Sequence, residues 1–244
     1  MSVDGEDADG IAISDDGNHV ALWRQASGLE MLRRGPLEGR RTIDSNVAAA
    51  AFVGPRARIA TIDGGKSVTL WEADTGRPVG LLQHDHIVTI LISNGRYLAT
   101  STDGGVVTTW DSQGDRPVSR VTVEEGHLLH GISHDAVHVA TIRGNSASVW
   151  DTRSETEVAR LAHAGAITDV AFSADGRLIV STSADLTARV WQWRSEELVR
   201  EACGRLTRRA LRPSDWRRFL PADTPRDTCP SGPTPHPPAR TAAR

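Results

Sequence analysis

Short apolar segments recur along this 244-residue chain at a nearly constant interval of forty. Ile11-Ala12-Ile13-Ser14, Ala50-Ala51-Phe52-Val53, Ile90-Leu91-Ile92-Ser93, His130-Gly131-Ile132-Ser133 and Val170-Ala171-Phe172-Ser173 follow one another at steps of 39, 40, 40 and 40 residues. A second landmark keeps the same clock. Trp71, Trp110, Trp150 and Trp191 are spaced by 39, 40 and 41, and each has a valine eight residues later, at Val79, Val118, Val158 and Val199. A period of this length specifies a repeat architecture, in which each unit completes its core only against its neighbours.

Each unit has the texture of β structure. Runs of Val, Ile, Thr and Ala alternate with turn residues. In the last unit Ile167 to Ser173 reads as a strand, Ala174-Asp175-Gly176 as a turn, Leu178 to Ser183 as a second strand and Thr187 to Trp191 as a third. A fourth would begin near Leu198, although Leu198, Val199, Ala202, Cys203 and Leu206 also follow helical spacing over residues 196–207. Third strands end at Trp71, Trp110 and Trp150 in the preceding units. Four strands per forty residues make a propeller blade. The expected fold is therefore all-β, a propeller of about five four-stranded blades over residues 11–44, 47–84, 87–123, 128–164 and 167–203. The first unit is degenerate: one period before Trp71 falls near Met31, which assigns Trp23 to a second strand.

Trp110-Asp111, Trp150-Asp151 and the string Ala171-Phe172-Ser173-Ala174-Asp175-Gly176 resemble the WD-repeat family over roughly residues 11–200. That resemblance implies a His before the first strand, an Asp six residues before the Trp and a hydroxyl on the second strand, joined in a buried structural hydrogen-bond set. His163, Asp185 and Trp191 fit the pattern, with Ser181 or Ser183 as the hydroxyl. Asp63 and Asp103 sit eight and seven residues before their tryptophans, and the fourth blade has no Asp there. The region from Glu201 to Pro230, with Asp215-Trp216-Arg217-Arg218-Phe219-Leu220-Pro221 and Thr228-Cys229-Pro230, resembles the end of bacterial WD-repeat proteins whose propeller follows an NTPase, TIR, protease or kinase module. The resemblance implies the sensor half of a signalling protein, truncated relative to its relatives.

Residues 1–10 are acidic and glycine-containing, unsuited to supply a closing strand. An open arc and a compact five-bladed ring both remain compatible with the count. The open arc would self-associate, or take blades from a partner chain, because exposed strand edges recruit other strands. Residues 196–220 are expected to form a helical extension, with a second helix from Pro213 to Leu220, and the Pro-rich residues 221–244 are expected to be disordered. Cys203 and Cys229 are too few for a disulfide framework; they would lie close were residues 221–229 to fold back over the helices, but free thiols are the default expectation for a cytoplasmic chain.

Composition narrows the function. A net charge of -3 supplies no field to hold nucleic acid or an anionic membrane, and no stretch is apolar enough to span a bilayer. His127, His130, His134 and His138 have formal zinc spacing, but they fall on two strands and a turn that would have to converge on one ion. Ser, His and Asp are abundant without a Gly-x-Ser-x-Gly elbow. Gly64-Gly65 and Gly104-Gly105 read as turns, and Arg205, Arg208, Arg209, Arg212, Arg217 and Arg218 as a solvated helical face. No catalytic, cofactor-binding or metal-binding residue is assigned. The expected function is a non-catalytic surface for other proteins, presented by loops on a stiff scaffold; the alternative is a metal-binding or hydrolytic enzyme built on the propeller.

Overall fold

The computed structural model describes residues 8–24, 28–33, 41–43, 46–54, 58–111 and 116–205, together with Arg218 and Cys229. The chain divides into two compact units, Met1–Trp191 and Gln192–Arg244.

The first unit is a succession of antiparallel sheets, each a meander of consecutive strands. The first blade comprises β1 (Gly10–Ile13), β2 (His19–Arg24), β3 (Gly28–Arg33) and β4 (Arg41–Ile43). The second comprises β5 (Ala49–Val53), β6 (Arg58–Ile62), β7 (Ser67–Glu72) and β8 (Pro78–Gln83). The third runs from β9 (Val88–Ser93) through β10 (Tyr97–Thr102) and β11 (Val106–Asp111) to β12 (Pro117–Thr122). The fourth runs from β13 (Leu128–Ile132) through β14 (His138–Arg143) and β15 (Ser146–Asp151) to β16 (Thr156–Ala162). The fifth has three strands, β17 (Ile167–Phe172), β18 (Leu178–Ser183) and β19 (Ala188–Gln192).

A polar turn repeats between first and second strands. Ser14, Ser133 and Ser173 each donate a hydroxyl hydrogen bond of 2.6 Å to the Asp two residues on, Asp16, Asp135 and Asp175. The next residue takes the left-handed conformation, at Gly17, Ala136 and Gly176. Glycine adopts it freely, whereas Ala136 does so against its own β-carbon. In blades two, three and four the register slips at the tryptophan, between Leu70 and Trp71, Thr109 and Trp110, and Val149 and Trp150. A bulge at this point twists the third strand locally against the fourth.

Successive blades pack face to face. One face of blade n, represented by Ala21 and Met31, meets the opposite face of blade n+1, represented by Ala50, Phe52 and Ile59. Ala60, Leu70 and Val68 of the second blade meet Leu91, Leu98 and Trp110 of the third in the same way, as do Ala99 and Val107 of the third with Leu129, Ile132 and Val139 of the fourth. First strands follow suit: β1 packs on β5, β5 on β9, β9 on β13 and β13 on β17. Among the described residues no packing of like extent joins β17 to β1. The five sheets form an open series.

Four sequence expectations need correction or lie outside the described residues. The fourth strand expected near Leu198 does not form; Ser195–Arg205 is a helix, α1, so the last blade ends with β19 rather than reaching residue 203. Glu196 and Glu197 in its first turn and Arg205 in its last complement the helix dipole, which tips the ambiguous periodicity towards helix. The helical extension is described over Ser195–Arg205; the second helix expected at residues 213–220 lies outside the described residues except for Arg218, as does the tail 221–244 except for Cys229. Cys203 and Cys229, by default expected as free thiols, form a disulfide with 5.5 Å between α-carbons.

Candidate interaction surfaces

The tryptophans lie at the penultimate position of each third strand, where the indole reaches back to the second strand. Trp71 Nε1 donates to Thr61 Oγ1 at 2.9 Å, Trp110 Nε1 to Thr100 Oγ1 at 3.0 Å, Trp150 Nε1 to Thr141 Oγ1 at 2.9 Å and Trp191 Nε1 to Ser181 Oγ at 2.7 Å. Asp111 and Asp151 close the same strands, the latter with Oδ1 accepting from the Arg153 and Ser154 amides at 2.8 and 3.1 Å. In three blades a histidine meets the same hydroxyl: His84 Nε2 at 3.4 Å from Thr100, His127 Nδ1 at 2.8 Å from Thr141 and His163 Nε2 at 2.7 Å from Ser181. The indole N–H can only donate, which leaves the hydroxyl hydrogens of Thr141 and Ser181 for their histidines, whereas the Thr100 hydroxyl donates to the Thr108 carbonyl at 3.3 Å. Burial pushes the His84 and His127 imidazoles below their ordinary range, with Arg120 and Arg143 respectively adding to the effect.

The fifth blade carries the fullest set. The hydroxyl is Ser181; Ser183 instead donates to the Gly165 carbonyl at 3.0 Å. His163 Nδ1 lies 3.1 Å from Asp185 Oδ2, and Asp185 also accepts from Thr187 Oγ1 at 2.6 Å and from the Ala164 amide at 3.1 Å. The Thr187 hydroxyl foremost, with these amides and His163, holds the Asp185 carboxyl well below the usual carboxylate range. Elsewhere the acid is diverted. Asp63 accepts from the Gly65 amide at 2.8 Å, Asp103 accepts from the Ile87 amide at 3.1 Å, and the fourth blade places Asn145 in this turn, donating to the His163 carbonyl at 3.2 Å.

Ser181, His163 and Asp185 have the mutual distances of a hydrolytic triad. Their burial argues differently. Ser181 is 1 % exposed and its oxygen already accepts the Trp191 indole hydrogen, so an electrophile has no approach to it. The four histidines of the zinc-like spacing diverge: His127 turns to Thr141, His130 Nδ1 lies 3.5 Å from Asp169, His138 Nε2 lies 3.9 Å from Asp151, and His134 is exposed. Among the described residues no three His, Cys, Asp or Glu side chains gather as a metal site, and no helix there is long and apolar enough to cross a membrane.

A groove of about 410 Å³ lies between the second and third blades. Leu81 of β8 with Trp110 and Pro117 of the third blade line it with apolar surface, and His84, Asp85, His86 and Arg120 supply polar groups. Arg120 lies 3.4 Å from Asp85, and both are exposed. Sequence reasoning missed this groove. The only signal was His84, which precedes the first strand of its blade by four residues, as His163 does. Outside the groove, Val79, Val118 and Val158 repeat as exposed residues on the outermost strands.

Residues 155–192 match the WD domain, G-beta repeat. The matched WD repeat begins in β16 and ends with β19, so it is offset from the blade: it supplies the outer strand of one sheet and the inner three of the next. The match ends with β19, the third and last strand of the fifth blade. The match and the five blade-like sheets support a WD-repeat propeller that mediates protein interaction. No curated protein matches the chain.

Proposed function

We propose that this chain is a non-catalytic interaction scaffold that holds a segment of another protein in the groove between its second and third blades. The groove carries the reading: its lining combines the apolar Leu81 and Pro117 with the Asp85 and Arg120 ion pair, a mixture suited to an extended peptide with alternating apolar and charged side chains. The net charge of -3 supports a protein partner over nucleic acid. The Ser181, His163, Asp185 and Trp191 set, buried at Ser181 and His163, is read as a structural tie between strands, and Trp71, Trp110 and Trp150 as its simpler counterparts. A sensing role in bacterial signalling rests on the resemblance of residues 201–230.

The test is selection of displayed peptide segments on the full chain, then titration of the binders. Binding lost in Leu81→Asp and Arg120→Glu, yet retained in Arg177→Glu on the turn of the fifth blade, upholds the proposal. Binders indifferent to both groove substitutions would sink it, as would ester hydrolysis abolished by Ser181→Ala.

A further inference from the structure

The junction between neighbouring blades is made four times within the chain, and the two end blades each present one unmatched half of it. At the third-strand position before the tryptophan, Leu70, Thr109 and Val149 are 4 %, 0 % and 0 % exposed, whereas Val190 of the fifth blade is 66 % exposed. On the adjacent second strand Ala60, Ala99 and Ala140 are wholly buried, and their counterpart Val180 is exposed. Ala171, Thr182 and Ala188 extend this leading face, all exposed. At the other end, the register places Ile11 and Ile13 opposite Leu22 and Val20. They correspond to Ala50 and Phe52 of the second blade, each paired likewise across to β6. Ala50 and Phe52 are 8 % and 7 % exposed; Ile11 and Ile13 are 62 % and 61 %.

The trailing face of the first blade combines apolar side chains with one carboxylate, Glu30, paired across from Leu22, which is itself 8 % exposed. Leu22 and Leu32 stand where the second blade has Thr61 and Trp71, so the polar tie is replaced by hydrocarbon. Apart from Glu30 and Thr182, the two faces are built from core-type side chains. They are of opposite kind, one leading and one trailing, as at each internal junction.

We propose that a second copy of this chain covers them, the leading face of blade five in one molecule packing on the trailing face of blade one in the next. The inference goes beyond the groove reading and needs no foreign partner, since one copy supplies both halves. The contact is heterologous, so association continues head to tail until it closes or is capped. Four internal examples of the same junction show that these residue types mate.

The full chain would be followed by light scattering over a dilution series, beside Val190→Glu, which disables the leading face, and Ile13→Glu, which disables the trailing one. Both residues are exposed in the single chain, so thermal unfolding of dilute samples should not change. Wild-type mass should rise with concentration to at least twice 26.3 kDa. Each variant alone should stay at one chain, and an equimolar mixture should double to a two-chain species and stop, because one intact leading face meets one intact trailing face. A wild-type chain monomeric at every concentration overturns the proposal. So does a variant that dimerises alone, or a mixture that remains monomeric.

Discussion

At the scale of single residues, the recurrent Trp to Ser/Thr hydrogen bond is a pair whose members lose more apart than together. In the second blade Thr61 accepts from Trp71 at 2.9 Å. Thr61→Val strands the indole hydrogen and Trp71→Phe strands the hydroxyl, each leaving a buried polar group unpaired at about 1–3 kcal/mol. The double variant removes both ends, as Leu22 and Leu32 do in the first blade. We expect the two single losses, read by urea unfolding, to exceed the double loss by about 1 kcal/mol in sum; strict additivity would show the bond contributes nothing. Asp185 makes a pH prediction. Its folded carboxyl is held below its ordinary 3.8 by Thr187 and neighbouring donors, so its contribution is present above that value and fades as pH falls below it. Asp16 behaves alike, lowered to about 2 chiefly by the Ser14 hydroxyl. Asp185→Asn should lower the melting temperature at neutral pH and flatten its fall below pH 4; an unchanged acid slope would contradict this. Leu186 sits 97 % exposed at a positive φ of 64°. Leu186→Gly should stabilise the hairpin by about 1 kcal/mol in the same unfolding assay, because an L side chain is strained there.

At the scale of elements, α1 and its disulfide are where sequence and structure part. The strands of the five blades were legible because alternation and turn residues repeat five times, each copy reinforcing the others. Residues 195–205 occur once, and their spacing satisfies a strand or a helix; the charges at the two ends of α1 decide it. The groove was illegible for a different reason: Leu81, Asp85, Pro117 and Arg120 come from two blades, and no periodicity says which outer strands face each other across a gap. The pairing of Cys203 with Cys229 depends on a chain reversal that composition does not encode. At a sequence separation of 26, the link restricts the unfolded second unit by about 3 kcal/mol in the chain-entropy account. Reduction should therefore increase amide exchange and proteolysis within residues 195–229 while leaving exchange in β5 to β16 unchanged. Uniform loss of protection across the blades would show that the disulfide is not local to its unit. The same reagent separates two settings, since a reducing cytoplasm would hold the pair as thiols.

At the scale of the whole molecule, stability in a repeat array sums each unit with its junctions, and the open series makes the units unequal. Blades two, three and four have a neighbour on both faces, whereas blades one and five have one each. The same truncation should then cost different amounts by position. Ile59→Ala, at a wholly buried site between the first two blades, should cost about 2–5 kcal/mol from lost transfer energy and cavity formation. Ile11→Ala, more than half exposed, should cost well under 1 kcal/mol in dilute solution. Hydrogen exchange reads the gradient directly: amides of β1 to β3 and β17 to β19 should open at lower free energy than those of β9 to β11. The end strands would unfold without the centre. Raising the protein concentration should erase the gradient at the ends first, because head-to-tail contact restores the missing junction, and Val190→Glu should keep blade five open at the same concentration. Equal protection of all five blades in a dilute monomer would mean that the first and last faces are covered within one chain, and that the series closes on itself.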